Sequence, residues 1–196
     1  MGMTTGLLGG AFDPPHLGHL ALAKAAIARF ELARLVIVPV GNAPHKQSVL
    51  PAETRFRLAH AAFRDMPRVV FSRIDMERNG PAYTVDTVKY AEKEWGDVVF
   101  LVGADQFTAF LEWKDPDEIL EHARLGVATR PGYPEKKVKA VLKKLARPDR
   151  VELFDIPESP ISSTEIRRLI AAEEPYEQLV PSAVADVIDE LGLYLG

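Results

Sequence analysis

Two histidines three residues apart, His16 and His19, follow the segment Gly9-Gly10-Ala11-Phe12-Asp13-Pro14-Pro15. Imidazole can hydrogen-bond to phosphoryl oxygens, and it becomes cationic where a nearby phosphate raises its pKa. A spacing of three puts both rings on one side of a helix's first turn. Free backbone amides and the helix dipole already favour an anion there. Gly9 and Gly10 permit a close ligand approach that a Cβ would block, and Ala11 and Phe12 offer backbone donors. Pro14 and Pro15 stiffen the turn and delay the helix until about His16, while Gly18 leaves the space between the imidazoles open. Read singly, each histidine is accounted for as a surface residue capping a helix. An i,i+3 pair could also share a metal, although no third ligand stands at a suitable spacing. The complete string points instead to a phosphate cradle.

A second anion site is predicted at Ile161-Ser162-Ser163-Thr164-Glu165-Ile166-Arg167-Arg168. Ser162 with Glu165 reads as a capping box, and Ile166, Leu169 and Ile170 supply the buried stripe. Capping leaves Ser163, Thr164 and Arg167 without a task. Two hydroxyls and free amides in a first turn, followed by an arginine, suit a second phosphate contact. Three further segments could meet a second substrate. Pro44-His45-Lys46 follows a predicted strand, Gly80 to Thr87 leads into a predicted helix, and Gly103-Ala104-Asp105 with Trp113 follows another strand. An acid at a strand end can bind ribose hydroxyls, and an aromatic ring can stack on a flat heterocycle. Each also has a plainer reading, as an exposed loop, a threonine N-cap or a core tryptophan.

These residues need a frame. The 196-residue chain fits one domain, residues 1–196, and its 47% hydrophobic content is enough for a core. Runs rich in Val, Ile, Leu and Phe predict strands at Gly6–Gly9, Leu35–Val40, Val69–Ile74, Val98–Val102, Leu125–Thr129 and Val151–Asp155. Helical periodicity falls between them: from Leu17 to Phe30, over Arg55–Asp65, Thr84–Trp95 and Pro134–Arg147, and from Val184 to Leu191 before Gly192. The alternation predicts an α/β fold, a Rossmann-like doubly wound parallel sheet with helices on both faces. Ligands of such sheets bind beyond the carboxyl ends of the strands, where strand order reverses.

Composition narrows the function further. A net charge of −4 argues against a long nucleic-acid partner, but not against a small anion. The absence of cysteine excludes disulfides, thiolate-bound zinc and thiol catalysis. No secretory pattern opens the sequence and no run approaches the ~18 apolar residues of a membrane span, so a cytoplasmic protein is expected.

The glycine–histidine stretch resembles the Gly-Gly-(Thr/Ser)-Phe-Asp-Pro…His-x-Gly-His signature of the nucleotidyltransferase superfamily, and Ile161 to Arg167 resembles its Ile-Ser-Ser-Thr-x-Ile-Arg segment. Ala11 departs from the pattern, standing where a hydroxyl residue is common. The Pro-His-Lys loop, the Tyr-Thr-x-Asp-Thr segment, Gly103-x-Asp105, Trp113, Arg130-Pro131-Gly132 and Gly192-Leu193-Tyr194 are similar to the bacterial nicotinate-nucleotide adenylyltransferases, which serve NAD biosynthesis. The resemblance implies transfer of the AMP part of ATP to nicotinate mononucleotide, with Mg²⁺ held mainly by substrate phosphates and no resident protein-bound metal. His16, His19 and Arg167 are its implied catalytic residues. Gly9, Gly10, Ala11, Phe12, Gly18, Gly103, Asp105, Ile161, Ser163 and Thr164 join them in binding ATP. His45, Lys46, Tyr83, Thr84, Thr87, Trp113 and Arg130 are the implied acceptor residues. The alternatives are a phosphopantetheine adenylyltransferase and a nucleotide-binding sensor without catalysis.

Overall fold

The computed structural model describes residues 3–42, 49–130, 133–157 and 161–195. Six strands form one parallel sheet: β1 (Thr5–Gly10), β2 (Arg34–Pro39), β3 (Val69–Phe71), β4 (Val98–Gly103), β5 (Arg124–Thr129) and β6 (Val151–Asp155). Their spatial order is β3-β2-β1-β4-β5-β6, so strand order reverses between β1 and β4. Leu7 is registered against both Val36 and Phe100, which centres β1 in the sheet.

The strand sequences are apolar on successive residues because both faces are covered. On one face Leu7, Val36, Phe100, Val102 and Val127 pack against residues of α4 (Thr84–Trp95), α6 (Pro116–His122) and α7 (Glu135–Leu142). On the other, Leu8, Ile37, Val99 and Leu101 pack with α1 (Leu17–Arg29) and α2 (Ala52–Phe63). Helices α8 (Ser163–Ala171) and α9 (Ser182–Leu191) build a third cluster around Ile166, Val184 and Ile188, which meets α2 through Leu58. Gly192, at φ 57°, ends α9 in the left-handed region, and the Leu193 amide bonds back to Ile188.

The predicted strands all form, with one clear correction. Strand β3 stops at Phe71 rather than Ile74, because the Ser72 hydroxyl accepts the Ile74 amide and starts the short helix α3 (Ile74–Glu77). The predicted helix over Pro134–Arg147 closes at Leu142, and residues 148–150 form a separate 3₁₀ turn. Helix α2 begins at Ala52, three residues before its predicted start, with Pro51 as N-cap. Helix α6 and the four-residue α5 (Ala104–Phe107) were also not predicted, both being too short for a periodic signal. No helix among the described residues is long and apolar enough to cross a membrane.

Candidate active site

The β1 turn is held from below. Phe12 has φ 52° and is buried, its ring edge-on to His19 at 5.3 Å and to Phe63 at 5.7 Å. That left-handed backbone costs a large residue on the order of 1 kcal/mol, which the ring's burial offsets. A Cβ on Gly10 would stand 3.0 Å from the Phe12 ring, a tight approach that the glycine avoids. The Asp13–Pro14 peptide is cis. Asp13 is buried, and its carboxylate accepts the Val49 and Leu50 amides at 2.6 and 3.4 Å and the Tyr194 hydroxyl at 2.7 Å.

Beside it lies Arg55 of α2, only 1% exposed. Its guanidinium donates to the carbonyls of Ala11, Gly41 and Leu50 at 2.9, 3.0 and 3.1 Å. Burial lowers its pKa while the Asp13 charge opposes the change, and an arginine remains charged under such conditions. One fixed cation therefore ties the turn after β1 to the chain after β2.

His16 is the N-cap of α1. The two imidazole centroids stand 3.9 Å apart at 42°. The His16 amide donates to His19 Nδ1 at 3.2 Å, so that nitrogen carries no proton and Nε2–H is the donor tautomer of His19. His16 Nδ1 is buried with no hydrogen-bond partner among the described residues, and burial pulls the ring's pKa down to about 4. Burial thus holds His16 neutral near pH 7.

The second predicted terminus faces the same cleft. Ser162 caps α8 by accepting the Glu165 amide at 3.2 Å. The Glu165 carboxylate goes instead to Arg168 at 2.9 Å. Ser163 donates to the Pro14 carbonyl at 2.8 Å, and Arg167 donates to the Asp13 carbonyl at 2.7 Å, joining α8 to the β1 turn.

Between the two termini runs a cleft of about 660 Å³, at the carboxyl ends of β1 and β4 where strand order reverses. Gly9, Gly10, Ala11, Phe12, His16, Gly18 and His19 line it on the β1 side. Ile161, Ser163 and Thr164 line it from α8, and Gly103 and Asp105 from the end of β4. Tyr83, Thr84, Thr87 and Trp113 complete the far wall. The Trp113 indole meets Phe110 and Phe100 edge-on at 5.4 and 6.2 Å. Arg130, expected on the acceptor side, lines the cleft with its guanidinium 3.1 Å from Asp105. Arg167 is not among the lining residues; its guanidinium sits behind them on the Asp13 carbonyl. His45 and Lys46 lie outside the described residues.

Several contributors were missed by sequence reasoning. Asp75 of α3 lines the cleft, buried, and accepts the Thr87 hydroxyl at 2.6 Å. Burial raises its carboxyl pKa, against the Thr87 hydrogen bond and Arg78. Lys114 and Tyr133 also line it, and the Tyr133 hydroxyl donates to the Ala104 carbonyl at 3.2 Å. A motif could have marked none of these; only the position of Lys114 beside Trp113 was a usable hint. Among the described residues no three His, Asp or Glu side chains group closely enough to hold a metal ion.

Two helix N-termini thus meet at the reversal point of a parallel sheet, and sequence comparison places the chain among nucleotide-transferring enzymes. The cytidylyltransferase-like family model matches residues 7–169, and the chain belongs to that family. Within it the chain groups with the nicotinate-nucleotide adenylyltransferases. It is 39% identical over 194 residues to a probable nicotinate-nucleotide adenylyltransferase of Thermus thermophilus, covering 98% of this chain and 100% of that one. A second relative of the same description, from Moorella thermoacetica, is 38% identical over 196 residues, with coverage of 96% and 90%. The fold superposes on the Plasmodium falciparum nicotinic acid mononucleotide adenylyltransferase complexed with NaAD, with a TM-score of 0.78 at 18% identity, covering 98% of this chain and 97% of that one.

Proposed function

We propose that the protein transfers the adenylyl group of ATP to nicotinate mononucleotide, giving nicotinate adenine dinucleotide and pyrophosphate. The observation that carries this reading is the convergence of two helix N-termini, with His16 and His19 on one and Ser163 and Thr164 on the other, upon one cleft with an aromatic far wall. A triphosphate spans the two termini, and the Trp113 wall receives a flat acceptor ring.

An oxygen of the acceptor's 5′-phosphate attacks the α-phosphorus in line, and the bond to the bridging oxygen breaks, so pyrophosphate leaves with the negative charge. The acceptor phosphate is already a dianion near neutral pH and needs no enzyme nucleophile. Catalysis is positioning plus charge stabilisation. His19 donates Nε2–H to the phosphate chain. His16, held neutral by burial, gains a proton as the phosphates approach. Arg167 holds the turn through the Asp13 carbonyl and adds its charge behind the departing phosphates. Mg²⁺ would take its ligands mainly from substrate phosphates and water, since Asp105 is paired to Arg130 and Asp75 to Thr87. When bound it neutralises phosphoryl charge.

Pyrophosphate release from ATP and Mg²⁺ tests the reading, with nicotinate mononucleotide, nicotinamide mononucleotide and phosphopantetheine offered one at a time. Fast release with a pyridine nucleotide is expected, and His19→Ala should lower kcat by ~10²-fold. Release with phosphopantetheine alone would reassign the acceptor, and ATP binding without any release would make the protein a sensor.

A further inference from the structure

Charge is distributed unevenly along the cleft. Besides the histidines, its described lining carries Asp75, Asp105, Lys114 and Arg130. Arg130 and Asp105 offset one another at 3.1 Å. Asp75 is buried on Thr87, and its burial favours the uncharged acid. Lys114 differs from all three. It is exposed, its ammonium stands 4.4 Å from the centre of the Tyr83 ring, and no carboxylate lies within ion-pair distance of it among the described residues. It directly follows Trp113, whose indole belongs to the same wall. The aromatic surface and a cation outside any ion pair among the described residues, with Glu118 its near acidic neighbour, therefore share one end of the cleft.

We propose that Lys114 determines acceptor specificity, its ammonium favouring a flat heterocycle that bears a carboxylate over the same nucleotide bearing an uncharged amide. The inference rests on the acceptor being a pyridine nucleotide. The two candidate acceptors share ribose, phosphate and pyridinium ring and differ by one negative charge at the ring edge. Such a difference is discriminated by a cation placed near that edge. The contact with Tyr83 restrains a long side chain before the ligand arrives, so less freedom is lost on pairing. At an exposed rim the effect is modest, about three- to fivefold in preference, and is screened by salt.

The test compares kcat/KM for nicotinate and nicotinamide mononucleotide in the wild type, Lys114→Met and Lys114→Arg, at low ionic strength and at roughly 0.5 M salt, where the Debye length is below ~5 Å. Lys114→Met should lower the nicotinate-to-nicotinamide ratio by about three- to fivefold, through KM rather than kcat, and Lys114→Arg should keep it. The wild-type ratio should fall with salt and the Lys114→Met ratio should not, a readout that a merely structural role of the side chain would not move. An unchanged ratio in Lys114→Met at low salt, with the wild type turning over the nicotinate form, overturns the assignment of Lys114 alone. No turnover of either pyridine nucleotide by the wild type overturns the acceptor reading and this inference with it.

Discussion

His16 offers a quantitative test of how the empty cleft is built. Its ring is buried at the start of α1, Nδ1 lacks a partner among the described residues, and its pKa falls from 6.5 to about 4 through desolvation. In the unfolded chain the same imidazole regains its ordinary pKa. Between those two values the unfolded state binds one more proton than the folded state. Stability therefore falls as pH drops through this window, and the group contributes nothing to the slope above it. The gap between the two pKa values corresponds to about 3 kcal/mol. His16→Gln keeps a polar side chain and removes the titration. Urea unfolding of both proteins from about pH 7 to about pH 4 should show the wild type losing ~3 kcal/mol more than the variant. Carboxylates titrate in both proteins and cancel in the difference. A difference flat to within ~0.5 kcal/mol, or an NMR titration placing His16 near its ordinary pKa in the ligand-free protein, would refute the claim that burial keeps this ring neutral.

Removing the buried cation is expected to do more damage. Arg55→Met strands the carbonyls of Ala11, Gly41 and Leu50 and leaves Asp13 uncompensated, so the urea midpoint should fall by an amount equivalent to ~3–5 kcal/mol with the slope unchanged. Tyr194→Phe deletes one of the three donors to the buried Asp13 carboxylate; a loss of ~1–3 kcal/mol is expected in the same assay. Gly41→Ala would place a Cβ 2.1 Å from the Asp75 carbonyl oxygen, against backbone rather than a yielding side chain. That substitution should cost ~3 kcal/mol or more and displace Asp75 from Thr87, read as a lower thermal midpoint and weaker acceptor binding by calorimetry.

What the sequence makes legible follows physical range. Strands β2 and β4 announce themselves because burial on both faces demands unbroken apolar runs such as Leu35 to Val38 and Val98 to Val102. The two helix termini that line the cleft are legible because glycines, histidines and hydroxyls stand within a few residues of one another. Arg55 is not. It stands in an amphipathic helix where a charged residue predicts the surface, yet it is 1% exposed because it serves three carbonyls from distant segments. Asp75 is hidden for the same reason: it lies just past the predicted strand Val69–Ile74, and only the folding of α3 onto α4 puts it beside Thr87. Ser162 and Glu165 show the opposite failure. Their spacing fits a reciprocal box, but the Arg168 guanidinium holds the glutamate away from the cap.

The bonds that close the β1 turn have a consequence for synthesis of the chain. Asp13 receives Tyr194 across 181 residues, and Ser163 and Arg167 reach Pro14 and Asp13 across 149 and 154. On a ribosome, which adds roughly 5–20 residues per second, the turn emerges roughly 10–35 seconds before its last partner exists. During that interval the Asp13 carboxylate has only the Val49 and Leu50 amides as donors, and the β1 turn lacks its contacts with α8. The turn therefore reaches its full set of hydrogen bonds only in a chain synthesised through residue 194.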